Sequence, residues 1–298
     1  MTQLADAINK AVQLSTNAPV SIQVEKDTEI QSRTVKEQTF LEYLELKNRT
    51  RNVSSNYVEF YEESGGSNAA FIPEAGAIPE FTATTLTPVS DSTKTLAIPV
   101  QISMKAQDGT NDVNLREYLI RDSYVKINNL LDRTLLQGNK TTDANSFDAI
   151  TNGVTTIDNE DATITEKAIK EAIQTCIYAG GHPDCLVTTP EIANQMDALV
   201  SPFLRYNNVT EIALGHTVST FKSTDGSFIP ILVDNNVPDG QLCVLDTTSI
   251  DIAFQRRPSI IQLAQTTLAT NEAIYCWATA YNKAKFKSRV ITGIADAE

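Results

Sequence analysis

Apolar residues recur every three or four positions between residues 112 and 137, which predicts one long helix. The buried stripe of this helix would consist of Ile120, Tyr124, Ile127, Leu131 and Leu135. Neither Gly nor Pro interrupts the segment, Asn111 or Asp112 can cap its start, and Gly138 can end it. A helix of this length would span about 40 Å, so other elements could pack along it. An ordinary core helix of a globular enzyme would show the same pattern.

Ahead of this helix the pattern changes to alternation, which predicts two long strands joined by a loop. The first run extends from Val53 to Glu62. The second run has its apolar positions at Leu96, Ile98, Val100, Ile102 and Met104. The segment between them, ESGGSNAAFIPEAGAIPEF, is rich in Gly and Pro. A two-stranded hairpin is marginally stable alone and leaves strand edges unpaired, so we expect it to lie on a neighbouring copy of the chain.

Residues 1–52 are expected to form an N-terminal arm that carries the first helices. The apolar spacing over residues 2–14 predicts a short amphipathic helix, and residues 15–33 read as extended or loosely tethered. Thr34 and Glu37 form a capping box ahead of a second helix that should run to about residue 48.

Residues 160–258 mix helical and strand patterns, as expected for a compact α+β module of roughly a hundred residues. Thr163 and Glu166 form a capping box before a helix that ends at two glycines. A short strand from Cys185 to Thr188 then leads to a helix that begins at Pro190. Further strands are expected at His216–Phe221, Phe228–Val233, Leu242–Leu245 and Ile250–Phe254.

Residues 259–298 are expected to be rich in strands again. Alternate positions are apolar in AIYCWATAYNKAKFKSRVITGI, residues 273–294, which predicts one long strand. The opposite face of that strand would carry a row of four positive charges, Lys283, Lys285, Lys287 and Arg289. Such a row could contact packaged polyanion or an acidic neighbour. We favour the neighbour, because four charges on one strand bind nucleic acid weakly unless many copies act together.

The composition is that of a folded protein, with 41% hydrophobic and 20% charged residues in a chain of 298. The formal net charge of −13 argues against a general nucleic-acid binder. The sequence shows no signal peptide and no apolar run that approaches the roughly 20 residues needed to span a bilayer, so we expect no membrane partner. Four well-separated cysteines are expected to be buried and reduced.

The residue types that carry catalysis or bind metals do not form a recognisable motif. His182 and His216 are the only histidines, and neither has HExxH spacing. The acidic clusters at residues 59–63 and 158–161 lack the spacing of an EF-hand, and a solvated surface explains them better. We therefore expect no enzyme activity, no metal and no cofactor. A two-domain α+β hydrolase or binding protein is the alternative from another class.

The order of these parts resembles the major capsid proteins of tailed double-stranded DNA viruses, which have the Hong Kong 97 fold. Four stretches carry the resemblance: AAFIPEAGAIPEF with its return TKTLAIPVQISMK, the helical DVNLREYLIRDSYVKINNLLDRTLLQGN, the segment DCLVTTPEIANQMDAL, and the closing AYNKAKFKSRVITGI. The implied fold is α+β, with an N-terminal arm, an extended hairpin loop, a long spine helix, a peripheral domain and an inserted axial domain.

The resemblance implies boundaries and a mechanical function. Residues 53–105 would be the extended loop, 106–159 the peripheral domain with spine helix 112–137, 160–258 the axial domain, and 259–298 return strands of the peripheral domain. Hexamers and pentamers would close an icosahedral shell around viral double-stranded DNA, with each loop lying across a neighbour. The contact residues at the loop tip would be Glu62, Glu63, Phe71, Ile72, Pro73, Ile78, Pro79 and Phe81.

The resemblance also implies partners and limits. Scaffold, portal and cement proteins are candidate partners, packaged DNA would be contacted weakly and non-specifically, and the protein would be assembled in the host cytoplasm and found in the virion. Some family members cross-link subunits through a loop lysine, but residues 62–81 contain no lysine, so we expect no such cross-link. Only about fifty residues precede the hairpin here, which favours a separately encoded scaffold. An encapsulin-like nanocompartment shell is the nearest alternative.

Overall fold

The computed structural model describes residues 39–67, 69–74, 76–78, 80–105, 115–200, 209–213, 216–265 and 268–295. The helix expected over residues 2–14, the extended segment 15–33 and the Thr34–Glu37 capping box lie outside these ranges. The same holds for the first three residues of the helix expected from residue 112, and for Pro79.

Four α-helices have both ends within the described part of the chain: α1 Thr39–Leu46, α2 Leu115–Gln137, α3 Glu166–Tyr178 and α4 Pro190–Val200. The long helix predicted to Gln137 is therefore confirmed over its described length. Its apolar stripe packs as expected: Ile127, Leu131 and Leu135 are buried, while Ile120 and Tyr124 are partly buried against the same core. No described helix is long and apolar enough to cross a membrane.

The described strands form three sheets. Their bounds are β1 Thr50–Asn52, β2 Tyr57–Gly65, β3 Thr84–Ser92, β4 Lys94–Ser103, β5 Thr155–Ala162, β6 Cys185–Thr188, β7 Val209–Ala213, β8 His216–Lys222, β9 Phe228–Val233, β10 Leu242–Leu245, β11 Ile250–Gln262, β12 Ala269–Asn282 and β13 Arg289–Ile294. The orders are β1-β11-β12-β4 in a four-stranded sheet and β5-β13-β10-β6-β9-β8-β7 in a seven-stranded sheet, while β2 and β3 form a hairpin of their own.

The four-stranded sheet lies against α2. Strand β12 runs antiparallel to both β11 and β4, and its even-numbered residues from Ile274 to Ala280 are buried in the core that includes Leu131 and Leu135 of α2. The period-two alternation therefore gives this sheet an inner face toward the helix and an outer face away from it.

The strand that contains Leu96 was wrongly expected to be the returning arm of the hairpin. It is β4, which pairs with β12 from Lys94↔Ala278 to Ser103↔Ala269. The hairpin partner of β2 is instead β3, whose apolar alternation is weak and which escaped the sequence analysis. The two strands β3 and β4 are separated by Thr93 alone, so one extended segment serves two sheets.

The predicted long strand over residues 273–294 is also wrong, because the chain turns between β12 and β13. A short 3₁₀ helix, Lys285–Lys287, separates them, and β13 enters the seven-stranded sheet between β5 and β10. The last strand, β13, therefore belongs to a different sheet from β12. The expected boundary at 258/259 falls inside β11, a strand of the four-stranded sheet.

The centre of the seven-stranded sheet is formed by β6 and β10, which are buried at every position and account for the short apolar runs in the sequence. Helix α3 packs on this sheet through Ile169, Ile173 and Cys176. The helix begins two residues later than the expected capping box at Thr163 and Glu166 implies. Thr165 is the N-cap, because its hydroxyl accepts a hydrogen bond from the N–H of Ala168 at 3.2 Å.

Two buried carboxyl groups join α1 to the rest of the protein. Asp132 on α2 accepts a hydrogen bond from the N–H of Leu41 at 2.8 Å, and Asp234, just after β9, accepts one from the N–H of Phe40 at 3.1 Å. The side-chain amide of Asn236 donates to Asp132 at 2.7 Å. The start of α1 is therefore capped by side chains from two distant parts of the chain.

Candidate assembly surfaces

In the part of the chain that the structure describes, the hairpin of β2 and β3, hereafter the arm, packs on the rest of the protein at its base. Its ladder runs from Tyr57↔Ser92 to Gly65↔Thr84. Val58 and Phe60 are buried at the base in a small cluster with Ala253 and Tyr281 on the outer face of the four-stranded sheet. The rings of Phe60 and Tyr281 are stacked, with centroids 5.3 Å apart and planes 15° from parallel. From Tyr61 onward, β2 is exposed.

Polar contacts fix the base of the arm in place. The N–H of Thr93 donates to the carbonyl of Asn56 at 2.9 Å, and the Thr93 hydroxyl lies 3.1 Å from Oε1 of Gln255 on β11. Lys140 forms ion pairs with Asp91 of β3 and with Asp148. Partial burial acts to lower the pKa of Lys140, but the two carboxylates outweigh it and raise the pKa. The direction of the arm is thus set at its base.

The tip of the arm exposes large apolar side chains. Phe71 is fully exposed, Ile78 is 83% exposed and Phe81 is 85% exposed, and Ile72 is also exposed. Beyond the strands, the N–H of Thr82 donates to the hydroxyl of Ser67 at 2.8 Å. Such a concentration of exposed apolar groups on one projecting segment is typical of a surface that another molecule covers.

The residues expected at the tip therefore do share one projecting element. Glu62 and Glu63 are exposed near the end of β2, and Phe71, Ile72, Pro73, Ile78 and Phe81 are exposed in the loop that follows. A turn forms where the N–H of Gly76 donates to the carbonyl of Pro73 at 2.8 Å. A side chain at Gly76 would come within 2.9 Å of the Ile72 and Pro73 side chains, so it would force this turn to shift.

The four basic residues expected in a row do not share a strand face. Lys283 forms an ion pair with Asp251, Lys285 and Lys287 lie in the 3₁₀ helix, and Arg289 lies in β13. The Arg289 guanidinium donates to the carbonyl of Phe286 at 2.7 Å and to that of Thr175, near the end of α3, at 3.4 Å. Two of the four charges are therefore engaged within the chain.

Sequence analysis missed a cation held on an aromatic surface. The Arg256 guanidinium on β11 lies 5.3 Å from the ring centre of Tyr275 and 5.7 Å from that of Trp277, both on β12. Arg256 also donates to the hydroxyl of Tyr275. The odd-numbered aromatics of β12 hinted at this surface, but register shifts in β11 at 254/256 and 256/259 place Arg256 opposite Trp277, and alternation alone does not reveal such shifts.

Metal binding and thiol chemistry find little support in the described ranges. They contain no group of three or more His, Cys, Asp or Glu side chains placed to hold a metal ion. All four cysteines are buried and unpaired. Burial raises the pKa of the Cys243 thiol to about 12 and that of Cys276 to about 11, which keeps both thiols protonated and unreactive.

We compared the chain with family models and with curated proteins. The family model described as SU10 major capsid protein matches residues 11–295. A comparison with curated proteins gives no match.

Solved structures show the same fold. The SrpI encapsulin of Synechococcus elongatus PCC 7942 is 11% identical, with a TM-score of 0.70 over 97% of this chain and 96% of that one. The capsid of a native GTA particle is 11% identical, with a TM-score of 0.69 over 95% and 99%. The capsid of cyanophage A-1(L) is 14% identical, with a TM-score of 0.67 over 94% and 99%. The α+β fold of the Hong Kong 97 type is thereby confirmed.

Proposed function

Because the chain belongs to the family of SU10 major capsid proteins, we propose that its copies assemble through hexamers and pentamers into an icosahedral shell that encloses viral double-stranded DNA. Family membership makes the protein a structural capsid subunit of the virion and not an enzyme. Self-assembly into capsid oligomers follows from the same membership. The hexamers and pentamers, the shell geometry and the DNA belong to the proposal.

The arm is the observation that carries the proposal. It projects from a base fixed by Phe60, Thr93 and Lys140, and it ends in exposed apolar side chains. A neighbour's surface would bury the tip residues Phe71, Ile78 and Phe81, together with the exposed part of β2. The arm and the surface that receives it are different patches, so the contact is head-to-tail, and repetition of such contacts closes rings and shells.

The remaining expectations become parts of the same proposal. We place Lys285 and Lys287 at a contact with a neighbour or with DNA, as a local patch between the two large sheets rather than as a row. A separate scaffold, a portal and cement proteins are proposed as partners during assembly in the host cytoplasm. Contact with packaged DNA would be weak and non-specific, as the net charge of −13 favours.

An encapsulin-like compartment is the second candidate, because an encapsulin is among the structural matches. A fold shared at 11% identity does not separate a DNA-filled shell from a protein-filled one. The family match favours the capsid.

Shortening the arm tests the proposal. Deletion of residues 64–80 removes the tip of the arm. It leaves the β2–β3 pairing at the base of the arm and the stacking of Phe60 on Tyr281. We expect a subunit with an unchanged circular dichroism spectrum that forms no closed shells in electron micrographs. A variant with Phe71, Ile78 and Phe81 replaced by Ser keeps the arm's length and should also lose most assembly. Normal shells from both variants would refute the role given to the arm.

A further inference from the structure

Among the described residues, the chain's own arm covers only part of the outer face of the four-stranded sheet. Val58 and Phe60 pack over Ala253 and Tyr281 at one end of the face. Tyr275 lies six residues before Tyr281 on the same side of β12, roughly 20 Å along the strand. There the face is only half-buried, and exposed Thr95 and Ala97 of β4 lie opposite Trp277 and Tyr275. We call the group formed by Arg256, Tyr275 and Trp277 the platform.

The platform has the composition of a protein-binding centre. Trp, Tyr and Arg are the residues that dominate binding energy at interfaces. The guanidinium of Arg256 is exposed, and in the described part of the chain its contacts are with two rings and a phenol oxygen rather than with a carboxylate. A stacked guanidinium is pre-oriented and weakly hydrated, so it can bind a carboxylate from another molecule at low cost in entropy.

The arm carries the complementary charge. Residues 57–92 contain six carboxylates and no Lys, Arg or His. Asp91 pairs with Lys140 at the base, but Glu62 and Glu63 near the end of β2 are exposed. An arm of this charge would be repelled by most of a chain whose net charge is −13, and a neighbour's Arg256 offers it an exposed cation on an aromatic surface.

We propose that the platform of one copy receives the acidic arm of the next, with Glu62 or Glu63 bound to Arg256 and the arm backbone lying over Tyr275 and Trp277. This inference rests on the proposed assembly of the chain into shells and names the surface that receives the arm. The contact is electrostatic as well as apolar, so assembly through it weakens as ionic strength rises.

Charge reversal with rescue tests this contact in the full-length chain. Arg256→Glu, or Glu62→Lys with Glu63→Lys, should each slow shell assembly about tenfold or more at low salt, because like charges then face each other. The chain that carries all three changes should recover most of the rate. Arg133→Glu makes the same change of charge on α2, on the other side of the sheet, and its effect should not be reversed by the arm lysines.

Thiol cross-linking gives a second readout that does not depend on altered charges. A chain with Leu86→Cys on the arm and Ala97→Cys beside the platform should give covalent ladders of two or more chains with a short bis-maleimide, and each single variant should not. The four native cysteines are buried, which keeps the background low.

The outcomes separate this inference from the proposed function. Wild-type shells with neither charge rescue nor a covalent ladder would overturn the docking site and leave the capsid role standing. A cross-link confined to one chain would show that the platform binds its own chain, which also overturns the docking site. Absence of wild-type shells under all salt conditions would overturn both.

Discussion

The buried carboxyl pair at the start of α1 has the clearest dependence on pH at the scale of single residues. Asp132 is completely buried, and burial, together with the negative charge of Asp234, raises its pKa from 3.8 to about 8. The folded protein therefore holds a proton on this pair at neutral pH. The bonds from Leu41 and Asn236 favour the charged form and oppose the shift without cancelling it.

Replacement of Asp132 by Asn should make stability less sensitive to pH. Between the unfolded pKa near 4 and the folded pKa near 8, the folded chain binds more protons at Asp132 than the unfolded chain. The free energy of unfolding therefore falls as pH rises, by up to about 1.4 kcal/mol per pH unit for this one proton. The Asn variant lacks the titration but can still accept the bond from Leu41.

Urea unfolding of unassembled subunits from pH 5 to pH 9 measures this difference. We expect the stability of the wild type relative to Asp132→Asn to decrease steadily up to about pH 8 and then to level off. A difference that stays constant across the range would show that Asp132 is ionised in the folded protein.

The start of α3 gives a prediction with a matched control at the scale of an element. Thr165→Ala removes the hydroxyl that caps Ala168 and should cost about 1 kcal/mol of stability. Thr163→Ala, two residues earlier, changes an exposed side chain outside the helix and should cost little. Urea titration of both variants decides between the observed cap and the cap expected from the sequence. The larger loss at Thr163 would support the latter.

The sequence was sufficient to predict those elements whose pattern of apolar residues reflects packing against a single core or burial on both faces. The stripe of α2 faces one core, and the short, largely apolar runs of β6 and β10 are buried at every position. The helix followed from the spacing of its apolar residues, and the two strands followed from short apolar runs.

Strand partners could not be predicted, because pairing is decided by distant segments. β4 alternates as a hairpin strand would, yet its partner β12 lies about 175 residues away in sequence. The break between β12 and β13 was hidden for a related reason: Ala284 and Phe286 continue the even-numbered pattern, although Phe286 is 57% exposed in a turn. Alternation of residue type does not distinguish one strand from two with a short link.

The assembly surfaces could also be predicted only in part from the sequence. The tip of the arm was recognisable from its Gly/Pro-rich sequence and its apolar residues such as Phe71 and Phe81. The basic row was wrong because it assumed one strand, and the Arg256 platform was missed because register shifts in β11 determine which side chains meet.

At the scale of the whole molecule, the arm projects from a core that the remaining elements form. Helix α2 and the four-stranded sheet form a common core, the seven-stranded sheet is joined to it through shared apolar residues such as Val187 and Leu245, and the arm projects from the outer face. The apolar tip of a free monomer is therefore exposed to water, and assembly would bury it against a neighbouring subunit.

Electron microscopy of the purified full-length protein, combined with the ratio of its absorbance at 260 and 280 nm, tests the central claim most directly. We predict closed shells or capsomers, with shells from infected cells containing nucleic acid. Shells filled with protein instead would favour an encapsulin-like compartment. A protein that stays monomeric at every salt concentration would contradict the account, because the arm would then have no partner.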